Sequence, residues 1–142
     1  MSRTRKLLVG ILAVTVLVPV PSTASAGLRE EMIGAINVQR MAHGVAPLRH
    51  SPFLHSTSYG YARYMMRTDR FAHAGARRSF GELLEIHSGR SAYFQRTVHL
   101  WMRSPSHRRL LLSRYFRHGG VGMTTGSFQG ARRSIWVARL GR

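Results

Sequence analysis

The chain has 142 residues, with 22 lysines and arginines against 5 acidic residues, no cysteine and a net charge of +17. That length accommodates one hydrophobic core, and the missing thiol excludes a disulfide framework, a thiolate metal centre and a cysteine nucleophile. So one-sided a charge predicts attraction to polyanions such as phospholipid headgroups, cell-wall phosphates or nucleic acid, although no specific nucleic acid partner is expected.

The N-terminus reads as an export signal. Arg3, Arg5 and Lys6 precede an apolar run over residues 7–18, which is shorter than the roughly 20 residues that a membrane span requires. Pro19 and Pro21 break the run, and Ala24-Ser25-Ala26 offers the small-x-small pattern of a signal peptidase site. Cleavage after Ala26 is expected, with residues 27–142 as one exported domain; the competing reading is an uncleaved anchor. The cleaved chain would keep 116 residues and 19 basic side chains, all arginine, against the same 5 acids, a balance of about +14. A secreted, extracellular, monomeric protein is expected, held together by packing alone.

Residues 27–43 predict a first helix. Leu28, Met32, Ala35 and Ile36 recur at helical spacing, Glu30 and Glu31 fall in the first turn, where the helix dipole favours acids, and Gly44 ends the run. Ser51-Pro52 opens a second helix, with serine as cap and proline at the first helical position. Leu54, Tyr61, Ala62 and Met65 form its apolar stripe, and it ends near Asp69. Residues 70–81 predict a loop and 82–86 a short strand. Residues 91–103 predict a third helix on the spacing of Phe94, Val98, Trp101 and Met102. Ser104-Pro105 repeats the cap signal and starts a short helix through Leu112. Leu111, Leu112 and Phe116 are assigned to the core and the neighbouring arginines to solvent, in preference to a cationic membrane-surface helix. Residues 119–125 and 134–140 change to strand period, Ile135, Val137 and Arg139 alternating with Trp136, Ala138 and Leu140, and residues 126–130 suit a hairpin connection. Helices around a small antiparallel sheet make an α+β domain.

Two histidines and one carboxylate stand beside residues that look like structural fixtures. His73 follows Phe71, which is expected to anchor the loop in the core while His73 faces outward. Glu82 follows Gly81, whose missing side chain permits close backbone approach. Glu85 would face the other side of the strand. With Ser104 as cap and Pro105 as first residue, His107 falls at the third helical position, where the dipole disfavours an imidazolium. A neutral imidazole there could serve a metal or a proton donor. His73, Glu82 and His107 would make an open, three-ligand shell for a divalent metal such as zinc, but spacings of 9 and 25 residues form no known zinc motif. The bland alternative is a hydrogen-bonded cluster that fixes a cleft wall. No G-x-S-x-G elbow or phosphate loop is present. The other six histidines, His43, His50, His55, His87, His99 and His118, carry no partner pattern and are assigned to the surface or to satisfied structural roles.

The run Phe71-x-His73, Gly81-Glu82, Trp101-x-x-Ser104-Pro105-x-His107-Arg108 and Gly120-Val121-Gly122 resembles the CAP superfamily in its minimal bacterial, SCP-like form, as does the opening Ile36-Asn37-x-x-Arg40 followed by Pro47-Leu48. The resemblance covers about residues 36–141. It implies a three-layer α-β-α sandwich, scaffold roles for Arg40 and the Pro-Leu corner, and a cleft lined by His73, Glu82, Ser104 and His107. The family's larger members add a second acid and disulfides. Here residues 86–142 contain no Asp or Glu, which weakens any mechanism needing a carboxylate pair. The resemblance implies a binding module for a lipid or cell-envelope component. The alternatives are a metal-dependent hydrolase using the same cleft and a cationic binder of anionic envelope polymers through surface arginines.

Overall fold

The computed structural model describes residues 23–75, 79–88 and 94–142. The apolar run read as part of an export signal, Arg77-Arg78, and the first three residues of the predicted third helix lie outside them. The described chain forms α1 (Thr23–Ala42), β1 (Arg49–His50), α2 (Pro52–Thr68), β2 (Gly81–Ser88), α3 (Phe94–Arg103), α4 (Pro105–Leu111), β3 (His118–Phe128) and β4 (Ala131–Gly141). The first helix begins at Thr23, through the proposed cleavage site, so Glu30 and Glu31 stand beyond its first turn. Ala24 and Ala26 are strong helix formers and extend it backwards.

The sheet order is β1-β3-β4-β2. β2, β3 and β4 are antiparallel, but β1 runs parallel to β3, so the sheet is mixed where an antiparallel one was expected. The chain leaves α1 through a corner at Leu48 that Asn37 clamps at both ends, donating to the Leu48 carbonyl and accepting from its amide. It therefore enters the sheet beside β3 in the same direction, with the Arg49 amide on Arg117 and the Ser51 amide on Gly119.

Alternation along β4 divides the interior into two cores. Trp136, Ala138 and Leu140 pack with Met32, Ile33 and Ile36 of α1, Val98 and Trp101 of α3, and Leu111 after His107. Ile135 and Val137 pack with Ala62 and Met65 of α2 and with Leu84 and Phe128. Helices thus cover both faces, giving the three layers. The β3–β4 turn is tighter than residues 126–130 suggested: only Gln129 and Gly130 lie between the paired Phe128 and Ala131, both with positive φ, the pattern of a type I′ turn. Asp69, itself left-handed at the end of α2, accepts from the Gln129 amide at 2.8 Å and holds that hairpin down.

Gly120 and Gly122 have a steric reason. A Cβ on either would run into the backbone of α2, at His55 and Tyr59 respectively. α2 lies directly on β3 at these positions, and Ser58 seals the contact by donating to the Gly120 carbonyl.

Arg40 is fully buried. Its guanidinium donates to the carbonyls of Ala46, Leu111, Ser113 and Phe116, the last three lying 71 to 76 residues away in sequence. Leu111 and Phe116 are buried while Arg108, Arg109, Arg114 and Arg117 are exposed, the core assignment expected for that segment except at Leu112, which is only half-buried.

Candidate functional site

The site forms at the edge strand β2. Trp101 sets the approach: its indole nitrogen donates to the Leu84 carbonyl of β2 at 3.0 Å. That bond holds the end of α3 on the strand, and α4 then starts beside the strand's first residues. Gly81 opens β2 under the Phe116 ring, which a Cβ would meet at 2.7 Å. The close neighbour of this glycine is therefore an aromatic ring from the core.

Glu82 is buried, and both its oxygens are engaged. Oε1 accepts from His73 Nδ1 at 3.0 Å and from the Ala74 amide at 2.9 Å. Oε2 accepts from Arg139 twice, at 3.2 and 3.0 Å. Burial alone would raise this carboxyl, but the Ala74 amide, His73 and Arg139 outweigh it and hold the group below the usual glutamate range. Arg139 also donates to the Thr57 carbonyl of α2 at 2.9 Å. Its guanidinium carbon lies 4.4 Å from the Phe80 ring centre and 4.9 Å from that of Tyr61, a cation–π cage around a nearly buried charge.

His73 sits on the loop after α2 with its ring about half exposed. Because its Nδ1 faces an ionised carboxylate, that nitrogen carries the proton. Phe71 does not anchor the loop, since it is 39% exposed. The anchoring falls to polar groups, the Tyr61 hydroxyl on the Ala72 carbonyl at 2.8 Å and the two bonds to Glu82 Oε1. His107 stands at the third position of α4 with its ring centre 6.4 Å from that of His73 and the planes tilted by 52°. Its pKa is lowered by burial and then by the charge of His73, so the neutral imidazole expected there follows from these causes. With only 7 residues in α4, the macrodipole argument is weak.

Ser104 occupies the N-cap position of α4, but its side chain makes no capping bond. Its hydroxyl lies 3.3 Å from that of Ser106 instead. The depression around the two imidazoles, about 300 Å³, is lined by His73, Phe80, Gly81, Glu82, Ser106, His107 and Leu110. Ser106 replaces Ser104 in that wall. Glu85 is half-buried on the other face of β2, and burial raises its pKa.

The three-residue metal shell does not fit. Among the described residues no group of three His, Cys, Asp or Glu is placed to hold a metal ion. Glu82 already accepts from four N–H donors and is not placed to ligate, while His73, with Nδ1 on that carboxylate, keeps Nε2 as its one ligand atom. Two imidazoles on one tetrahedral zinc would bring their ring centres to roughly 5 Å, closer than the pair stands. The pattern matches the bland alternative, a hydrogen-bonded cluster that shapes a cleft.

Arg139, Phe80 and Ser106 were missed in the sequence. The signal for Arg139 was present: it shares a strand face with Ile135 and Val137, and a charge at a core-facing position needs a partner. A further hollow lies elsewhere, a groove of about 590 Å³ between α1 and α3 lined mainly by apolar side chains, including Val38, Phe94, Val98 and Met102.

Among curated proteins no sequence matches the chain significantly. Solved structures of similar fold include an outer surface protein from Borrelia burgdorferi, at TM-score 0.61 and 17% identity over 87% of this chain and 96% of that one. An extracellular protein of Bacillus anthracis containing an SCP domain aligns at TM-score 0.64 and 16% identity, over 89% of this chain but 45% of that one. BmVAL-1 aligns at TM-score 0.63 and 15% identity, over 80% and 76%. The family model of the cysteine-rich secretory proteins, CAP, matches residues 33–139. With that span matched over the helices, the sheet and the paired histidines, the chain belongs to the CAP family.

Proposed function

We propose that this protein is an exported binding module whose His73–His107 cleft takes the polar head of a lipid or another cell-envelope component. The observation that carries this reading is the state of Glu82. A carboxylate accepting from four N–H donors, two of them on a caged arginine, has no lone pair ready for a metal, a water or a substrate proton. It positions His73 instead, much as an orienting group positions an imidazole in other sites. That leaves two imidazoles and the Ser106 hydroxyl in an open depression. Such groups can each donate or accept, which suits a phosphate or hydroxyl-bearing head.

Lipid is the favoured class because the same domain carries the apolar groove between α1 and α3, and apolar clefts with a few polar groups are the usual form of small-ligand sites. Export is supported by the signal-like first 26 residues and by two structural neighbours, one an outer surface protein and the other an extracellular protein.

The test is a titration of short-chain phosphatidylglycerol, below its micellar concentration, followed by nitrogen NMR of the imidazoles. Shifts at His73 and His107, lost in His107→Ala, are the expected result. Unmoved imidazole signals, or equal binding by His107→Ala, would refute the cleft as the binding site.

A further inference from the structure

The outer face of α2 sets exposed aromatic side chains beside exposed arginines. Phe53 is 71% exposed, and Tyr59 and Tyr64 are each 43% exposed. Arg63 and Arg67 are exposed on the same face, with Gly60 between them and the aromatics. The Arg63 guanidinium carbon lies 5.8 Å from the Tyr59 ring centre. The side turned inward carries Leu54, Ser58, Ala62 and Met65, so the outer face is left uncovered by the other described elements. From Phe53 to Arg67 it extends for about 21 Å at 1.5 Å per residue.

Charge is sorted between the layers. α2 contains no acidic residue. Of the five acids, Glu30 and Glu31 lie on α1 across the sheet, Glu82 is enclosed by its donors, and Glu85 is on the face of β2 opposite Glu82. Asp69 stands at the end of α2 but is engaged with Gln129.

We propose that the outer face of α2 docks on the surface of an anionic lipid bilayer. The arginines meet lipid phosphates, and Phe53, Tyr59 and Tyr64 enter the headgroup boundary, where aromatic side chains with a polar tip are favoured. A second copy of the chain is a poor occupant, because it would oppose Arg63 and Arg67 with their own like charges. A soluble polyanion would need the arginines only and leave the exposed Phe53 unexplained. No described helix is long and apolar enough to cross a membrane; the contact proposed for α2 is with the bilayer surface. The attachment does not require the cleft.

Sedimentation with vesicles tests this. Wild type should bind phosphatidylcholine vesicles doped with phosphatidylglycerol and not pure phosphatidylcholine. Arg63→Gln with Arg67→Gln should weaken binding by roughly fivefold per arginine. Phe53→Ser with Tyr64→Ser should weaken it by a similar overall factor, with the fold retained by circular dichroism, since Phe53 is largely exposed and Tyr64 gives up its stack on Tyr61. Arg103→Gln with Arg109→Gln, on the other layer, should lose less than either pair. Vesicle binding that survives the Phe53/Tyr64 pair intact overturns the proposal in favour of charge alone. So does equal loss from the Arg103/Arg109 pair, or soluble polyphosphate competing equally for wild type and the Phe53/Tyr64 variant.

Discussion

Arg139 reaches Glu82 with two nitrogens, and both bonds land on one oxygen, Oε2, while Oε1 is left to the His73 ring and the Ala74 amide. The carboxylate therefore joins three parts of the chain: the loop after α2, the edge strand β2 and the end of β4. Glu82→Ala would strand a nearly buried guanidinium and is expected to cost about 3–5 kcal/mol, read from urea unfolding. Glu82→Gln keeps the volume and some of the bonds and should cost less.

The same pairing sets an acid limit on stability. Glu82 is held below its ordinary value in the fold, so its stabilising contribution is complete above the unfolded value of about 4.3. It is lost as pH falls through the lowered folded value. Urea midpoints measured from pH 6 downwards should fall less steeply in Glu82→Gln than in wild type over that window.

His107 titrates with the opposite charge sense but the same slope. Burial and then the charge of His73 lower its pKa, so between the folded value and the ordinary value of about 6.5 the unfolded chain binds more protons. Its contribution is complete above that ordinary value and is lost as pH falls towards the folded one. NMR titration should place the His107 midpoint below 6.5, and His73→Ala should raise it by removing both cover and charge. A midpoint that stays put in that variant would show that the two rings do not sense each other.

Two glycines predict opposite responses to one added methyl group. Gly122→Ala drives a Cβ into the α2 backbone at Tyr59 and should destabilise by about 3 kcal/mol. Gly60→Ala lies within α2 with open space around the new carbon and should stabilise by roughly 0.5–1 kcal/mol through helix propensity. Thermal midpoints of the two variants should move in opposite directions.

Zinc supplies a test of the occupied carboxylate. If Glu82 only orients His73, Glu82→Gln should weaken any zinc isotherm of the wild type by no more than about 10–100-fold, whereas His107→Ala should abolish it. Loss as complete in Glu82→Gln as in His107→Ala would return the glutamate to the role of ligand.

The layered fold was readable because each level of the sequence agreed with the next. Helical spacing in α2 and α3, serine-proline starts at Ser51 and Ser104, and the two-face alternation of β4 all specify local geometry that tertiary packing then keeps. The site was readable only where a histidine or glycine stood in a recognisable run. Arg139 was not found because its partner lies 57 residues away, and no local period links a strand-end arginine to a strand-start glutamate. Phe71 was misjudged because aromatic character was equated with burial, whereas the loop is held by the Tyr61 hydroxyl and Glu82. Ser104 was placed in the cleft by the resemblance alone, whereas the serine in the wall of the depression is Ser106. The parallel pairing of β1 could not be seen in two residues and depends on the Asn37 clamp.

The clasp formed by Arg40 has a further consequence for where the domain can exist. It joins α1 to the far end of α4 through carbonyl oxygens more than 70 residues distant, the kind of span that extracellular domains often close with cystine. A guanidinium on carbonyls has no reduction potential, so neither cytosolic thiols nor an oxidising exterior can open or scramble it. The clasp is accordingly indifferent to the redox state of its surroundings.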